Sequence, residues 1–161
     1  QEILNNHFHL NMFVWTDVGA RIFLAALFGL LIGLDRDKKD KPVDFRVYMI
    51  VAMTTTVITI MAQEINSHYA STEQFLSLDL GKIIAGVLTG IGFLGAGAII
   101  KVNDSQVVGT ATGASIWASG GLGLCLGFGL YGLALFLFVA LSITLMIAGR
   151  VISKFTDTNQ K

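Results

Sequence analysis

Residues 105–149 contain no Asp, Glu, Lys or Arg. A membrane crossing takes about 20 apolar residues, so this uncharged stretch is too long for one helix and suits two joined by a tight turn. The turn is expected near "GFGLYG", residues 127–132, where glycine interrupts the apolar pattern. Taking the remaining charges as boundaries divides the chain into five apolar runs at 18–34, 47–63, 83–100, 107–126 and 130–148. Only 14% of residues are charged and the mean hydropathy is +0.69, whereas soluble domains carry about 25% charge. The expected architecture is an all-α integral membrane fold of five transmembrane helices packed through Gly- and Ala-rich faces. Residues 1–17 would form an extracytoplasmic segment, 18–150 the membrane domain and 151–161 a cytoplasmic tail.

Orientation follows from the cations. Residues 35–46, "DRDKKDKPVDFR", hold five Lys and Arg; Lys101 follows the third run, and Arg150, Lys154 and Lys161 lie after the fifth. Cytoplasmic loops are enriched in Lys and Arg, so these belong inside. The opposite face has Lys82 alone outside the runs, which places the N-terminus outside and the C-terminus in the cytoplasm. Gln1 is not followed by the basic and short apolar regions of a signal peptide. The first run is expected to carry insertion.

The segment "TGIGFLGAG", residues 89–97, contains G-x-G-x-x-G at Gly90, Gly92 and Gly95. A dinucleotide site would need a strand before these glycines and a helix opening at them, but they lie inside an uncharged run. On a helical wheel Ala85, Gly86, Thr89, Gly90, Gly92, Ala96 and Gly97 share one face with Phe93 at its middle, and Gly95 falls outside it. Small faces let helices approach closely in lipid, so Gly86, Gly90, Gly92, Phe93 and Gly97 are assigned to helix packing, with Gly109 and Gly113 in the next run. Further Gly-xxx-Gly pairs occur at Gly29 and Gly33 and at Gly123 and Gly127. "GTATGASIWASGGLG", residues 109–123, is small and hydroxylated on every side. That run is expected at the centre of the bundle with Trp117 packed against small faces, and the Leu- and Phe-rich fifth run against lipid.

Four stretches together carry a family likeness: "RIFLAALFGLLIGLDRD" (21–37), "FRVYMIVAM" (45–53), "TGIGFLGAGAII" (89–100) and "GTATGASIWASGGLGLCLGFGLYG" (109–132). In order and spacing they resemble the N-terminal membrane domain of the MgtC/SapB/YhiD family over about residues 17–150. That family has an Arg entering the first span, a Gly-Leu-Glu-Arg-Glu run ending it, an Arg opening the second, a Gly-Ile-Gly-Phe-Leu-Gly-Ala-Gly signature and a Thr-Thr-Ala-Ala-x-x-Trp segment. Asp35 and Asp37 stand here where the family usually has Glu, and Thr110 and Thr112 replace the double Thr. The resemblance implies a bacterial inner-membrane protein linked to growth in low magnesium and, in pathogens, to survival in phagocytes. Some members are associated with regulation of the rotary ATP synthase.

Ionisable side chains in or beside the spans are the functional candidates, because charge in hydrocarbon is costly. Arg21 either pairs with Asp17 one turn away or turns inward toward Glu64 or Asp79. Asp35 could lie between Arg36 and Arg46 and lock the ends of the first two spans. Thr110 and Thr112 complete the polar set. His7, His9, His68, Glu64, Glu73 and Asp79 match no metal-ligand spacing, so metal ligation stays open, and no cofactor is expected. Trp15 and Tyr69 suit the membrane interface. Cys125 is the single cysteine. Hydroxyls such as Thr54, Thr55, Thr56, Ser115 and Ser119 lack a nearby base and are expected to bond carbonyls one turn back, which argues against an enzyme. The expected partners are lipid, another membrane complex and a second copy of the chain, not nucleic acid. Two functions remain open: a membrane regulator or interaction protein, and an ion or small-solute transporter.

Overall fold

The computed structural model describes residues 10, 12–37, 43–70, 79–103 and 106–158. It contains helices α1 (Trp15–Asp37), α2 (Phe45–Ala70), α3 (Leu80–Gly97), α4 (Thr110–Gly127) and α5 (Tyr131–Thr158), with strands β1 (Ile100–Asn103) and β2 (Gln106–Val108) between α3 and α4. Four helical stretches, Trp15–Arg36, Phe45–Ser67, Leu80–Gly97 and Tyr131–Ala148, are long and apolar enough to cross a membrane. The 18 residues of α4 would reach about 27 Å, but their surface is small and hydroxylated.

That composition places α4 at the centre. It packs against α1, α2, α3 and α5, and Thr112, Ser115, Ile116, Ser119, Leu122 and Leu126 are buried along it. A helix surrounded by protein needs close-packing surface more than bulk, so glycine is useful where neighbouring backbones must approach. An added Cβ on Gly123 would strike the Ala52 carbonyl oxygen of α2 and lie 2.8 Å from Thr55 Cβ. Helix α1 meets α2 in the same way: a Cβ on Gly29 would fall 2.7 Å from Met49 Cα, and one on Gly33 2.7 Å from Phe45 Cα. Phe28 of α1 stacks on Phe138 of α5 with ring centroids 4.8 Å apart.

The α4–α5 turn falls where glycine was expected to permit it. Gly129 has φ +74°, Gly129 N–H donates to Leu126 O and Leu130 N–H to Cys125 O at 2.8 Å, the paired bonds of a Schellman ending. Between α3 and α4 the chain departs from an all-helical expectation. An antiparallel hairpin pairs Ile100 with Val108 and Lys101 with Val107, so α3 ends at Gly97 and α4 begins at Thr110. Ile and Val favour extended backbone, which explains why α3 stops before residue 100 and α4 starts after residue 107.

The small face of α3 is also placed differently within this chain. An added Cβ on Gly86, Gly90 or Gly97 would meet nothing within 4 Å, and one on Gly92 would only reach Trp117 Cδ1 at 4.0 Å. Phe93 is exposed, while Ile91 and Gly95 are buried. Gly95 lies against Gly113, whose carbonyl oxygen would be 2.8 Å from its Cβ. Intramolecular packing therefore uses the glycine that lay off the expected face. Trp117 is 47% exposed rather than enclosed, with its Cδ1 4.0 Å from where a Cβ on Gly92 would lie.

Candidate functional site

Polar side chains line the seam between α2 and α4 and gather at its two ends. Within the seam, Thr55 donates to Val51 O at 2.7 Å, Thr59 to Thr55 O at 2.8 Å and Ser119 to Ser115 O at 2.9 Å. Thr56 donates to Ala52 O within its helix and lies 3.1 Å from Gly123 O across the seam. Each donor is therefore satisfied by a carbonyl, as expected for hydroxyls inside helices.

At one end, Arg21 holds the C-terminus of α4. Its Nη1 donates to Gly127 O at 2.7 Å, and Nη2 pairs with Asp17 at 2.7 Å. The guanidinium lies 4.8 Å from the Phe13 ring centroid. Tyr131 O–H donates to the other Asp17 oxygen at 3.0 Å, and Gln63 Nε2 donates to Gly127 O at 2.9 Å. A cation at the C-terminus of a helix complements its dipole. The expected Asp17–Arg21 pair is present, and the same arginine also turns inward, onto a backbone carbonyl rather than Glu64 or Asp79. Glu64 instead accepts from the Met12 N–H at 3.0 Å, while Asp79 caps α3 through Lys82 N–H.

At the other end, Arg36 is 5% exposed and its Nη2 donates to Thr112 Oγ1 at 3.2 Å. Tyr48 is fully buried beside both, outside hydrogen-bonding geometry with either. The expected lock of Asp35 between Arg36 and Arg46 is not how the arginines are held. Arg36 turns to Thr112, whereas the exposed Arg46 bonds Asp44 through Nε at 2.8 Å. Those bonds hold the Asp44 carboxyl below its usual range. Asp35 is half-buried at the end of α1, and Thr110 is exposed at the start of α4.

Among the described residues, no three of His, Cys, Asp and Glu come together as a metal cluster. His7, His9 and Glu73 lie outside the described residues, as do the side chains of Asp37, His68 and Tyr69. Trp15 is exposed near the start of α1. The sequence reading did not single out Tyr48, Gln63 or Tyr131. Tyr48 carries a hydroxyl at the second position of the 47–63 apolar run, a signal that could have marked it, but its neighbours Arg36 and Thr112 come from α1 and α4.

The MgtC family model matches residues 22–154. The chain belongs to the MgtC family. An uncharacterised protein of Haemophilus influenzae is 39% identical over 128 residues, covering 80% of this chain and 51% of its own length. Protein SapB of Bacillus subtilis is 31% identical over 137 residues, covering 83% of this chain and 58% of its own. YhiD of Escherichia coli K12, provisionally named a magnesium transporter, is 32% identical over 116 residues, or 72% of this chain and 53% of YhiD. The chain spans about half the length of these relatives. No solved structure matches it. Family membership and the four apolar helices together make this a multi-pass membrane protein, with Arg36, Tyr48 and Thr112 inside the MgtC-family segment and Arg21 one residue before it.

Proposed function

We propose that this MgtC-family chain is a non-enzymatic regulator of the bacterial inner membrane, connected to magnesium limitation, that acts by docking against another membrane protein or a second copy of itself. Its five helices would all cross the bilayer, with the N-terminus outside and α4 as an enclosed fourth span. The outward face of α3 supports docking: Gly86, Gly90 and Gly97 leave its backbone open to a neighbour. Beside that face, Ile50, Thr54 and Ile58 of α2 and Gly86, Gly90 and Leu94 of α3 help line a groove of about 330 Å³. Gly90→Leu would fill this surface, so it is expected to weaken assembly in native gels and crosslinking while leaving the monomer folded. Unchanged assembly would rule out this face.

The name of YhiD favours a second possibility, magnesium transport. The α2–α4 seam is a poor route for Mg²⁺, because a buried guanidinium stands at one end and a part-buried one at the other, and its hydroxyl donors are already engaged. A divalent cation ordinarily needs carboxylate or carbonyl ligands that can replace part of its hydration shell. Proteoliposomes containing the chain are expected to show no Mg²⁺ flux above empty ones. Flux that falls in Asp35→Asn would favour transport and place that carboxylate on its path.

A further inference from the structure

Two arginines of α1 face opposite ends of α4 and meet opposite electrostatic environments. Arg21 lies at its C-terminus, bonded to Gly127 O and paired with Asp17, where cationic charge is favoured. Arg36 lies at its N-terminus through Thr112, where the helix already presents positive potential. Burial of the Arg36 guanidinium removes water, and among the described residues its hydrogen bond goes to a neutral hydroxyl, which does not compensate the charge. Among the described residues no carboxylate forms an ion pair with Arg36. Among the described residues two further donors also lack partners, the buried Arg36 Nε and Tyr48 O–H.

The α4 N-terminus adds backbone donors. Gly109 occupies the cap with φ +91° and supplies no side-chain cap bond, so the leading N–H groups lack that usual acceptor. Gly113 N–H is the first to turn back, donating to Gly109 O at 2.8 Å. A buried guanidinium, a phenol and a helix N-terminus consequently converge with donors in excess of acceptors. We propose that Arg36, Tyr48, Thr112 and the α4 N-terminus form a binding site for a phosphate-type oxyanion. The planar guanidinium can bond two oxygens, Tyr48 O–H can donate to a third, and the helix end complements the remaining charge. Arg36 is the penultimate residue of α1, a position near a span end where either a phospholipid headgroup or free phosphate could supply that chemistry.

The test uses the purified full chain in phosphate-free zwitterionic detergent and in phosphatidylcholine nanodiscs. Inorganic phosphate is titrated against chloride at constant ionic strength, with thermal unfolding followed by tryptophan fluorescence. Matched nanodiscs containing phosphatidylglycerol supply the lipid arm. Phosphate or phosphatidylglycerol should raise the unfolding midpoint of the parent by several degrees. Tyr48→Phe should weaken the response about tenfold, as expected for loss of one hydrogen bond to a charged group, and Arg36→Gln should abolish it. A response to inorganic phosphate assigns the site to free oxyanion, while a response to phosphatidylglycerol alone assigns it to the headgroup. No response to either probe in the folded parent would overturn the proposal. Equal responses in parent and Tyr48→Phe would also overturn it, as would an Arg36→Gln loss of stability identical with and without both probes. If Arg36→Gln does not fold, Tyr48→Phe and Thr112→Val provide the same comparison.

Discussion

Gly123→Ala is expected to destabilise the purified chain by about 2 kcal/mol, whereas Gly86→Ala should be neutral or stabilising by up to about 1 kcal/mol. Both substitutions replace a helical glycine with a better helix former. At Gly86 the new methyl meets open space, so propensity dominates. At Gly123 it would enter the Ala52 carbonyl and lie 2.8 Å from Thr55 Cβ. Backbone cannot rotate away like a flexible side chain, so α2 and α4 must separate. Overpacking typically costs about 1–3 kcal/mol, occasionally more, and exceeds the propensity gain. Equal thermal midpoints in detergent would show that α2 and α4 do not meet as described.

Arg21→Met should cost about 2–3 kcal/mol, with Arg21→Lys recovering less than half. The loss includes the 2.7 Å bond to Gly127 O and the 2.7 Å pair with Asp17. The pair contributes less than a buried one because Asp17 remains 38% exposed and surface ion pairs are weakened by water. Neither acceptor is abandoned: Gln63 still serves Gly127 O, and Tyr131 still serves Asp17. The larger part of the effect should therefore come from the charge-assisted bond at the α4 C-terminus and packing of the guanidinium near Phe13. Methionine keeps an unbranched apolar stem as far as the Nε position without charge, while lysine restores charge without the planar fork. Full stability in Arg21→Lys would show that charge alone suffices. Thermal unfolding of the three proteins decides between these outcomes.

Much of the architecture was legible because lipid imposes a direct cost on charge. The boundaries marked by Asp17, Arg36, Lys82 and Arg150 enclosed the apolar runs, and the turn after Gly127 followed from glycine and from the length of the uncharged stretch. Residues 109–123 also announced a central helix, since so many small and hydroxylated residues suit contact with other helices. Arg21 and Asp17 were legible as a pair one turn apart. By contrast, the hairpin at Ile100 to Val108 took the end of one apolar run and the start of the next, where counting charges says little about backbone conformation.

The candidate site was less legible. The sequence singled out Arg21, Asp35, Arg36, Arg46, Thr110 and Thr112, but the partners of the arginines come from distant parts of the chain. Arg21 finds Gly127 O 106 residues away, and Arg36 finds Thr112 76 residues away. Tyr48 joins the second cluster because α2 crosses α1 through Gly29 and Gly33. A helical wheel likewise identified the small face of α3 without revealing whether its neighbour belongs to the same chain.

Hydropathy and charge by themselves determined that this chain forms apolar helices, roughly where each begins, and which one can serve as the centre, while α2 and α5 run on past the apolar ends to Ala70 and Thr158. Those properties depend on transferring individual side chains out of water. Only the tertiary structure decided that Gly95, not Gly90, meets α4 and that Arg21 and Arg36 lie at opposite ends of its dipole, because both depend on the rotation and relative direction of packed helices.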